Sequence, residues 1–196
     1  MIRSWRLLFA ALALALTMAG AGAQTFGGVK VGSDARAVAS FGGPVALGSS
    51  GPDRFAKFRM PDGHDLSVTT RNFGPIIYME NSWNRAVAPS AGAGLRFGLT
   101  TRRDLLNLLG NDGYTYANRK RIAFGSDIVI FHSYELVNQP GVVATFAFAL
   151  PSARASLGDD AALLDSIIIA QAWYLDEIWG SSKTGAPGYI PITLNY

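Results

Sequence analysis

The sequence predicts an α+β fold of two tandem helix-plus-antiparallel-meander units, with the helices packed on one face of a sheet. Three observations lead to this prediction. A short stretch with helix-start and helix-stop signals occurs twice, at 29–44 and at 95–110. Residues that alternate between apolar and polar, a pattern typical of strands, follow each copy. A stretch rich in small residues lies between the two series, as a linker would.

Residues 1–23 are predicted to be a secretory signal peptide. Arg3 and Arg6 form a basic start, an apolar run extends from Leu7 to Met18, and small residues precede a cleavage site near Ala23. The run is shorter than the roughly 20 apolar residues that a membrane-spanning helix needs. We therefore expect a protein that is periplasmic or secreted after cleavage and has no transmembrane segment.

Composition excludes several classes of function. The chain has 196 residues, with 17 Lys and Arg against 14 Asp and Glu. Two of the basic residues lie in segment 1–23, so the remaining charge is almost balanced and predicts no nucleic-acid partner. The absence of cysteine excludes disulfides, thiol catalysis and cysteine-ligated metals.

The first unit is predicted to span residues 24–83. Ser33 or Asp34 is expected to cap a helix that ends at Phe41, before Gly42. Residues 46–53 are rich in Gly, Ser and Pro and are predicted to form a loop. Three alternating stretches separated by Pro- and Gly-containing turns predict three strands, at 54–60, 65–71 and 76–83.

A linker at 84–94 and a second unit at 95–179 follow. Gly98 is expected to turn the chain, Thr100 or Thr101 to cap a helix, and Gly110 to end it. The segment 114–125 is predicted to be a loop or a short strand, and 151–164 an insertion. The remaining strands of this unit are predicted at 126–137, 142–150 and 165–174. Residues 180–196 are predicted to be an irregular C-terminal tail.

The helix-start and helix-stop stretches resemble the SmpA/OmlA family, which includes the BamE-type outer-membrane assembly lipoproteins. In that family a Gly-x-Thr turn opens a helix that ends in Leu-Gly-x-Pro. The second copy, from Gly98 to Gly110, and the first, from Gly32 to Pro44, share this pattern. Two such units in tandem are similar to the β-lactamase inhibitory protein, and the resemblance implies that a sheet face grips a protein partner.

The sequence also departs from these families. It lacks the cysteine on which BamE-type proteins are lipidated and the disulfides of the inhibitory protein. The resemblance therefore implies a fold and a mode of binding, and it does not identify a β-lactamase as the partner.

No catalytic, metal-binding or cofactor motif is present in the sequence. It contains no Gly-x-Ser-x-Gly elbow and no phosphate-binding glycine loop. Asp62, His64 and Asp65 could hold a cation weakly, but a solvated hairpin tip is the simpler interpretation. We therefore predict no cofactor, no metal and no catalytic residue.

At three places in the predicted strands, a ring and a polar side chain lie two residues apart, on the same face of the strand. Aromatic and polar side chains in such combinations often anchor protein interfaces. The predicted partner-binding residues are Tyr78, Glu80, His132, Tyr134, Gln171 and Trp173. The alternative, that these rings are core and the opposite positions face water, stays open.

The sequence thus predicts an exported, non-catalytic protein-binding module of the cell envelope, acting in assembly or inhibition. Its partner would be an envelope or extracellular protein. One alternative is a small secreted hydrolase that uses distant carboxylates or His132 as a base. A scaffold with no specific ligand is a third hypothesis.

Overall fold

One antiparallel sheet of ten strands organises the protein in a computed structural model that describes residues 25–87, 94–186 and 188–194. The strands are β1 (Thr25–Phe26), β2 (Val29–Lys30), β3 (Ala46–Ser50), β4 (Asp53–Arg59), β5 (Asp65–Arg71), β6 (Ile76–Ser82), β7 (Tyr114–Tyr116), β8 (Arg121–Phe124), β9 (Asp127–Glu135), β10 (Val142–Pro151), β11 (Leu163–Gln171) and β12 (Lys183–Gly185). Their order in the sheet is β12-β7-β9-β10-β11-β6-β5-β4-β3, and β8 also pairs with β9; β1 and β2 form a separate hairpin.

The helices are short. The α-helices are α1 (Arg102–Leu109) and α2 (Ala172–Trp179), and 3-10 helices cover Ala35–Phe41, Ala117–Arg119, Ser152–Leu157 and Asp159–Ala161. None of the helices in the described part of the chain has the length and apolar character that crossing a bilayer would require.

Both faces of the sheet carry apolar clusters. On the main core face, Val68, Met79 and Ile169 lie in one row across β5, β6 and β11. The β1–β2 hairpin, Leu105 of α1 and the end of the tail at Leu194 cover this face. On the opposite face a smaller cluster includes residues of β7, β10, β11 and α2. Hydrophobic burial on both faces explains why β10 is apolar along almost its whole length.

The predicted fold class is wrong. The protein is predominantly β, and its strands do not separate into two helix-plus-meander units. The decisive contact is the β6–β11 pairing, in which Met79 lies opposite Ile169. Strands of the two predicted units therefore join directly into one sheet. The predicted domain boundaries stay a prediction; segment 1–23 and residues 88–93 of the predicted linker lie outside the described residues.

The resemblance to the SmpA/OmlA family is also wrong, because the shared pattern is helix-capping chemistry rather than a unit of the fold. Thr101 and Asp104 form a capping box at α1, and Gly110 ends the helix at φ 69°. The other copy forms only a 3-10 helix, Ala35–Phe41, which has no buried residue although Asp34 caps it. The tandem repeat is therefore unsupported.

Most strands were predicted correctly from alternation, with β5 correct at both ends. Several elements were not predicted. The β1–β2 hairpin is one, and β12 is another: it lies in the predicted irregular tail but pairs with β7 at the end of the sheet. The predicted strand 165–174 ends at Gln171, and α2 follows it. Residues 46–50 form β3 instead of a loop, and this difference determines where the candidate site lies.

Candidate binding cleft

The structure separates the six residues that the sequence suggested for partner binding. Tyr78 and Glu80 lie on the sheet face opposite the main core, where the Tyr78 hydroxyl donates a hydrogen bond to Glu80 Oε2 over 2.7 Å. Burial, together with the charge of Glu80, raises the pKa of Tyr78 well above its ordinary value. The phenol is therefore held protonated as a donor to a neighbouring carboxylate.

His132 and Tyr134 lie on the main core face. Tyr134 is fully buried and donates to the carbonyl of Asn111 over 2.9 Å. His132 is 6% exposed, and its Nδ1 and Nε2 lie 2.9 Å from the Asp112 carbonyl and 2.7 Å from Arg102 Nε. A carbonyl can only accept and a guanidinium can only donate, so His132 is neutral with its proton on Nδ1. Neither ring nitrogen is left to serve as a general base.

Gln171 and Trp173 lie at the start of α2. Gln171 is the N-cap residue, and the ring of Trp173 lies 4.9 Å from the guanidinium carbon of Arg71. Trp173 is linked to Tyr78 through the ring of Tyr174, which contacts both. His132 and Tyr134 lie on the opposite face of the sheet, so the six predicted residues do not form one patch. Their role in partner binding stays a prediction. The described residues contain no group of three metal-ligating side chains, either at the hairpin of Asp62, His64 and Asp65 or elsewhere.

His64 was interpreted from the sequence as part of a solvated hairpin tip, and the structure corrects this. The side chain is fully buried, and its ring packs edge-on at 5.0 Å from Phe97. Its neighbour Asp65 pairs with Lys57 and Arg59. His64 and Asp65 therefore contribute to packing and ion pairing at this end of the sheet, and they do not form a solvated tip.

An apolar cleft lies at the end of β4 and β5 that is away from His64, on the core face. It has a volume of about 430 Å³ and is bounded by the 3-10 helix Ala35–Phe41, by β3 to β5 and by the β5–β6 turn. Its lining is predominantly apolar and includes Val38, Leu47, Phe58 and Val68. Clefts of this size with an apolar lining and few polar groups are typical of binding sites.

Large apolar side chains are exposed around this cleft. Phe73 is 79% exposed, Leu47 is 76% exposed, and Val45 and Phe55 are also exposed. Scattered apolar residues on a surface need no explanation, but neighbours that surround one cleft form a patch of the kind that marks binding surfaces.

Phe73 has an unusual backbone. Asn72 and Phe73 have φ values of 50° and 59° and form the centre of a turn that the Gly74 N–H closes on the Arg71 carbonyl over 2.8 Å. A two-residue hairpin turn with two positive φ values favours Asn-Gly. Here a phenylalanine occupies the place of the glycine, at a cost of about 1–2 kcal/mol. Strain of this kind at an exposed aromatic residue is a sign of a functional site.

Arg54 is the charged residue of the cleft wall. Its Nη1 donates to the carbonyls of Gly51 and Asp53, at 2.9 and 3.0 Å, and its guanidinium carbon lies 5.2 Å from the Phe73 ring centroid. No carboxylate pairs with Arg54 within the described residues. The cleft therefore combines an apolar floor with a fixed positive charge that has only neutral partners.

Arg71 holds the strands and α2 together beneath this rim. Its Nε donates to Asp53 over 2.8 Å, and its Nη1 donates to Glu177 over 2.8 Å. Hydrogen bonds, first of all to Asp53 and to a lesser extent to Glu177, raise the pKa of Arg71 above its ordinary value. The next residue, Asn72, donates its backbone N–H to the Pro52 carbonyl over 2.9 Å. The turn that presents Phe73 is thereby fixed to the β3–β4 turn.

Local sequence patterns did not predict this cleft. Residues 46–50 are rich in Gly and Ser, so they were predicted to form a loop and Leu47 was not expected in a strand. Phe73 was interpreted only as part of a turn. The available signal was the order Asn-Phe-Gly, because Phe stands where a tight hairpin turn favours glycine.

No protein-family model matches the chain, and no curated protein matches it. A solved structure of an extracellular protein containing a SCP domain, from Bacillus anthracis str. Ames, has a TM-score of 0.48 and 8% sequence identity. The match covers 97% of this chain and 57% of that one. A likeness at this level does not establish a shared fold or function.

Proposed function

We propose that this protein is an exported, non-catalytic binding module that recognises a protein partner through the cleft beside β3. The observation that carries the proposal is Phe73, an exposed aromatic ring held in a strained backbone conformation at the rim of an apolar cleft. Strain and exposure both disfavour this arrangement in the isolated protein. A partner that covers the ring would account for both.

The chemistry of the cleft supports binding rather than catalysis. Arg54 is the one titratable residue among those that line it, and the hydroxyls of Ser49 and Thr70 have no histidine or carboxylate beside them in the lining. Nucleophilic or acid–base catalysis needs such a base within hydrogen-bond reach. The signal-peptide pattern of residues 1–23 supports the proposed export to the periplasm or the exterior.

The alternative of a secreted hydrolase that uses His132 as its base has no support from the histidine itself, whose two ring nitrogens are engaged by Asp112 and Arg102. A substrate screen with the His132→Ala variant addresses this alternative directly. Unchanged turnover of every substrate found would eliminate the mechanism.

The binding proposal is tested with a displayed library of random peptides selected on the purified protein. We expect the selected peptides to lose at least about tenfold in affinity for Phe73→Gly, as is usual when an aromatic anchor is removed from an interface. Phe124→Gly is the matched control, because Phe124 is similarly exposed, at 74%, but lies in β8 away from the cleft. Selection of no peptides, or equal binding by both variants, would overturn the proposal.

A further inference from the structure

The edge of the sheet beside the cleft is open. β3 ends the strand order, so within the described residues one of its edges pairs with β4 and the other has no neighbouring strand. Exposed edges are usually protected by charged residues, proline or bulges, because their free N–H and C=O groups can pair with another chain. β3 contains Ala, Leu, Gly, Ser and Ser and carries no charge.

Prolines limit this edge at both ends. Pro44 and Pro52 flank β3, and a proline has no N–H to donate to a ladder. The pairing surface is therefore confined to about the length of β3, five residues. A short extended segment fits such a surface, whereas a long sheet-to-sheet interface does not.

The charge beside this edge indicates the chemistry of the occupant. Arg54 pairs in register with Ser49 of β3. Arg36 lies in the 3-10 helix of the opposite wall but is not among the residues that line the cleft. Within the described chain, neither arginine forms an ion pair with a carboxylate. A carboxylate on the incoming segment would give Arg54 a charge-assisted hydrogen bond, which is stronger than a bond to a neutral carbonyl.

We propose that the occupant is a short, extended segment of a partner protein that adds a strand to β3, and this inference rests on the proposed function. An apolar side chain of the segment enters the cleft against Phe73, and an acidic side chain meets Arg54. Main-chain pairing supplies affinity, and the apolar cleft and Arg54 supply specificity, as in other cases of strand addition. A second copy of this chain fits less well, because β3 has no acidic residue to offer Arg54.

The first test is a scan of backbone N-methylation along one peptide selected on the protein. Alternate residues of an added strand point their N–H groups toward β3, and the others point away. We expect methylation to weaken binding at every second position by about tenfold or more and to have little effect at the positions between. A uniform response along the peptide would overturn strand addition.

The second test is a double-mutant cycle on the proposed pair of Arg54 and the acidic residue of the peptide. Arg54→Gln and replacement of the peptide's acidic residue by its amide should each weaken binding, and the double change should cost no more than either single change, because both remove the same pair. Additive losses, or selected peptides without an acidic residue, would contradict the proposed occupant. Self-association of the protein that Leu47→Lys abolishes would also contradict it, by making a second copy the occupant.

Strand addition to β3 and protein binding at the cleft can fail separately. If Phe73→Gly still weakens peptide binding by about tenfold or more while the methylation pattern is uniform, the cleft binds proteins by another geometry. If Phe73→Gly has no effect, the proposed function itself fails.

Discussion

Arg54 and Phe73 form one rim: the guanidinium carbon lies 5.2 Å from the centroid of the ring. The contact joins β4, which contains Arg54, to the turn after β5, which contains Phe73. The contact is a cation–π pair at an exposed site, worth about 0.5–1 kcal/mol. This is less than the backbone strain at Phe73, so the pair alone does not explain why phenylalanine stands there.

Phe73→Gly should therefore remove binding without loss of stability. Glycine accepts a φ of 59° without steric cost, and this gain offsets the greater freedom of glycine in the unfolded chain and the lost ring contact. We expect a free energy of unfolding equal to or above that of the wild type, measured by urea denaturation. Phe124→Gly should be destabilised by about 0.5–1 kcal/mol, because Phe124 lies in a strand and its φ is not positive. A clear loss of stability in Phe73→Gly would remove the argument from strain.

Local patterns in the sequence predicted local structure well. Alternation located β4, β5 and β6 because each has one face on the core, as Ala56, Phe58, Leu66 and Val68 show. The capping box at α1 was predictable because its partners, Thr101 and Asp104, are three residues apart. Each of these features depends on residues that are close in the sequence.

The errors concern features that depend on distant residues. The pairing of Met79 with Ile169 joins the two halves of the chain, and nothing near either residue specifies it. The helix α2 was missed because its apolar residues, such as Tyr174 and Leu175, continue the apolar run of β11. The cleft combines β3, the 3-10 helix and the β5–β6 turn, so its geometry exists only in the folded sheet.

Gly32 and Gly98 occupy the same position in the two similar stretches of sequence, but their surroundings differ. Their alanine variants should therefore differ in stability. Gly32 and Gly98 have φ values of 89° and 69°, so alanine is strained at both, by about 1 kcal/mol. A Cβ at Gly32 would meet open space, whereas a Cβ at Gly98 would overlap the ring of Trp83. We expect Gly98→Ala to be the less stable variant by a further 1–3 kcal/mol or so, as for other overpacked sites.

Chemical denaturation of the two glycine variants measures this difference. Because the backbone strain is similar at both positions, the comparison isolates the contact with Trp83. Equal losses of stability would show that Trp83 moves aside freely and does not need the glycine.

Arg71 should be more important for stability than its position at a strand end suggests. Arg71→Lys keeps the positive charge but cannot bond Asp53 and Glu177 simultaneously through a planar fork. We expect a lower thermal midpoint, since the contact between β4, β5 and α2 is weakened. Arg121→Lys is the control, because the single contact of Arg121 with Asp159 is longer, at 3.3 Å, and both partners are exposed. Equal thermal midpoints for Arg71→Lys and Arg121→Lys would show that Arg71 does not stabilise the contact between β4, β5 and α2.

His132 should make stability depend on pH in the mildly acidic range. Burial, with the positive charge of Arg102, lowers its pKa below the ordinary value of 6.5, and the hydrogen bond to the Asp112 carbonyl and the charge of Asp159 only partly oppose this. The unfolded chain therefore binds a proton at a higher pH than the folded protein does. The contribution of His132 to stability is fully present above pH 6.5 and declines as the pH falls toward the folded pKa.

The difference between the wild type and His132→Gln isolates this contribution, because other titrating groups are common to both proteins. The histidine protein should lose stability relative to the glutamine variant as the pH falls from 7 to 5, measured by urea denaturation at each pH. Titration of the imidazole resonances by NMR gives the folded pKa directly. A pKa at or above 6.5, or a stability difference that does not change with pH, would show that His132 is not held neutral between Asp112 and Arg102.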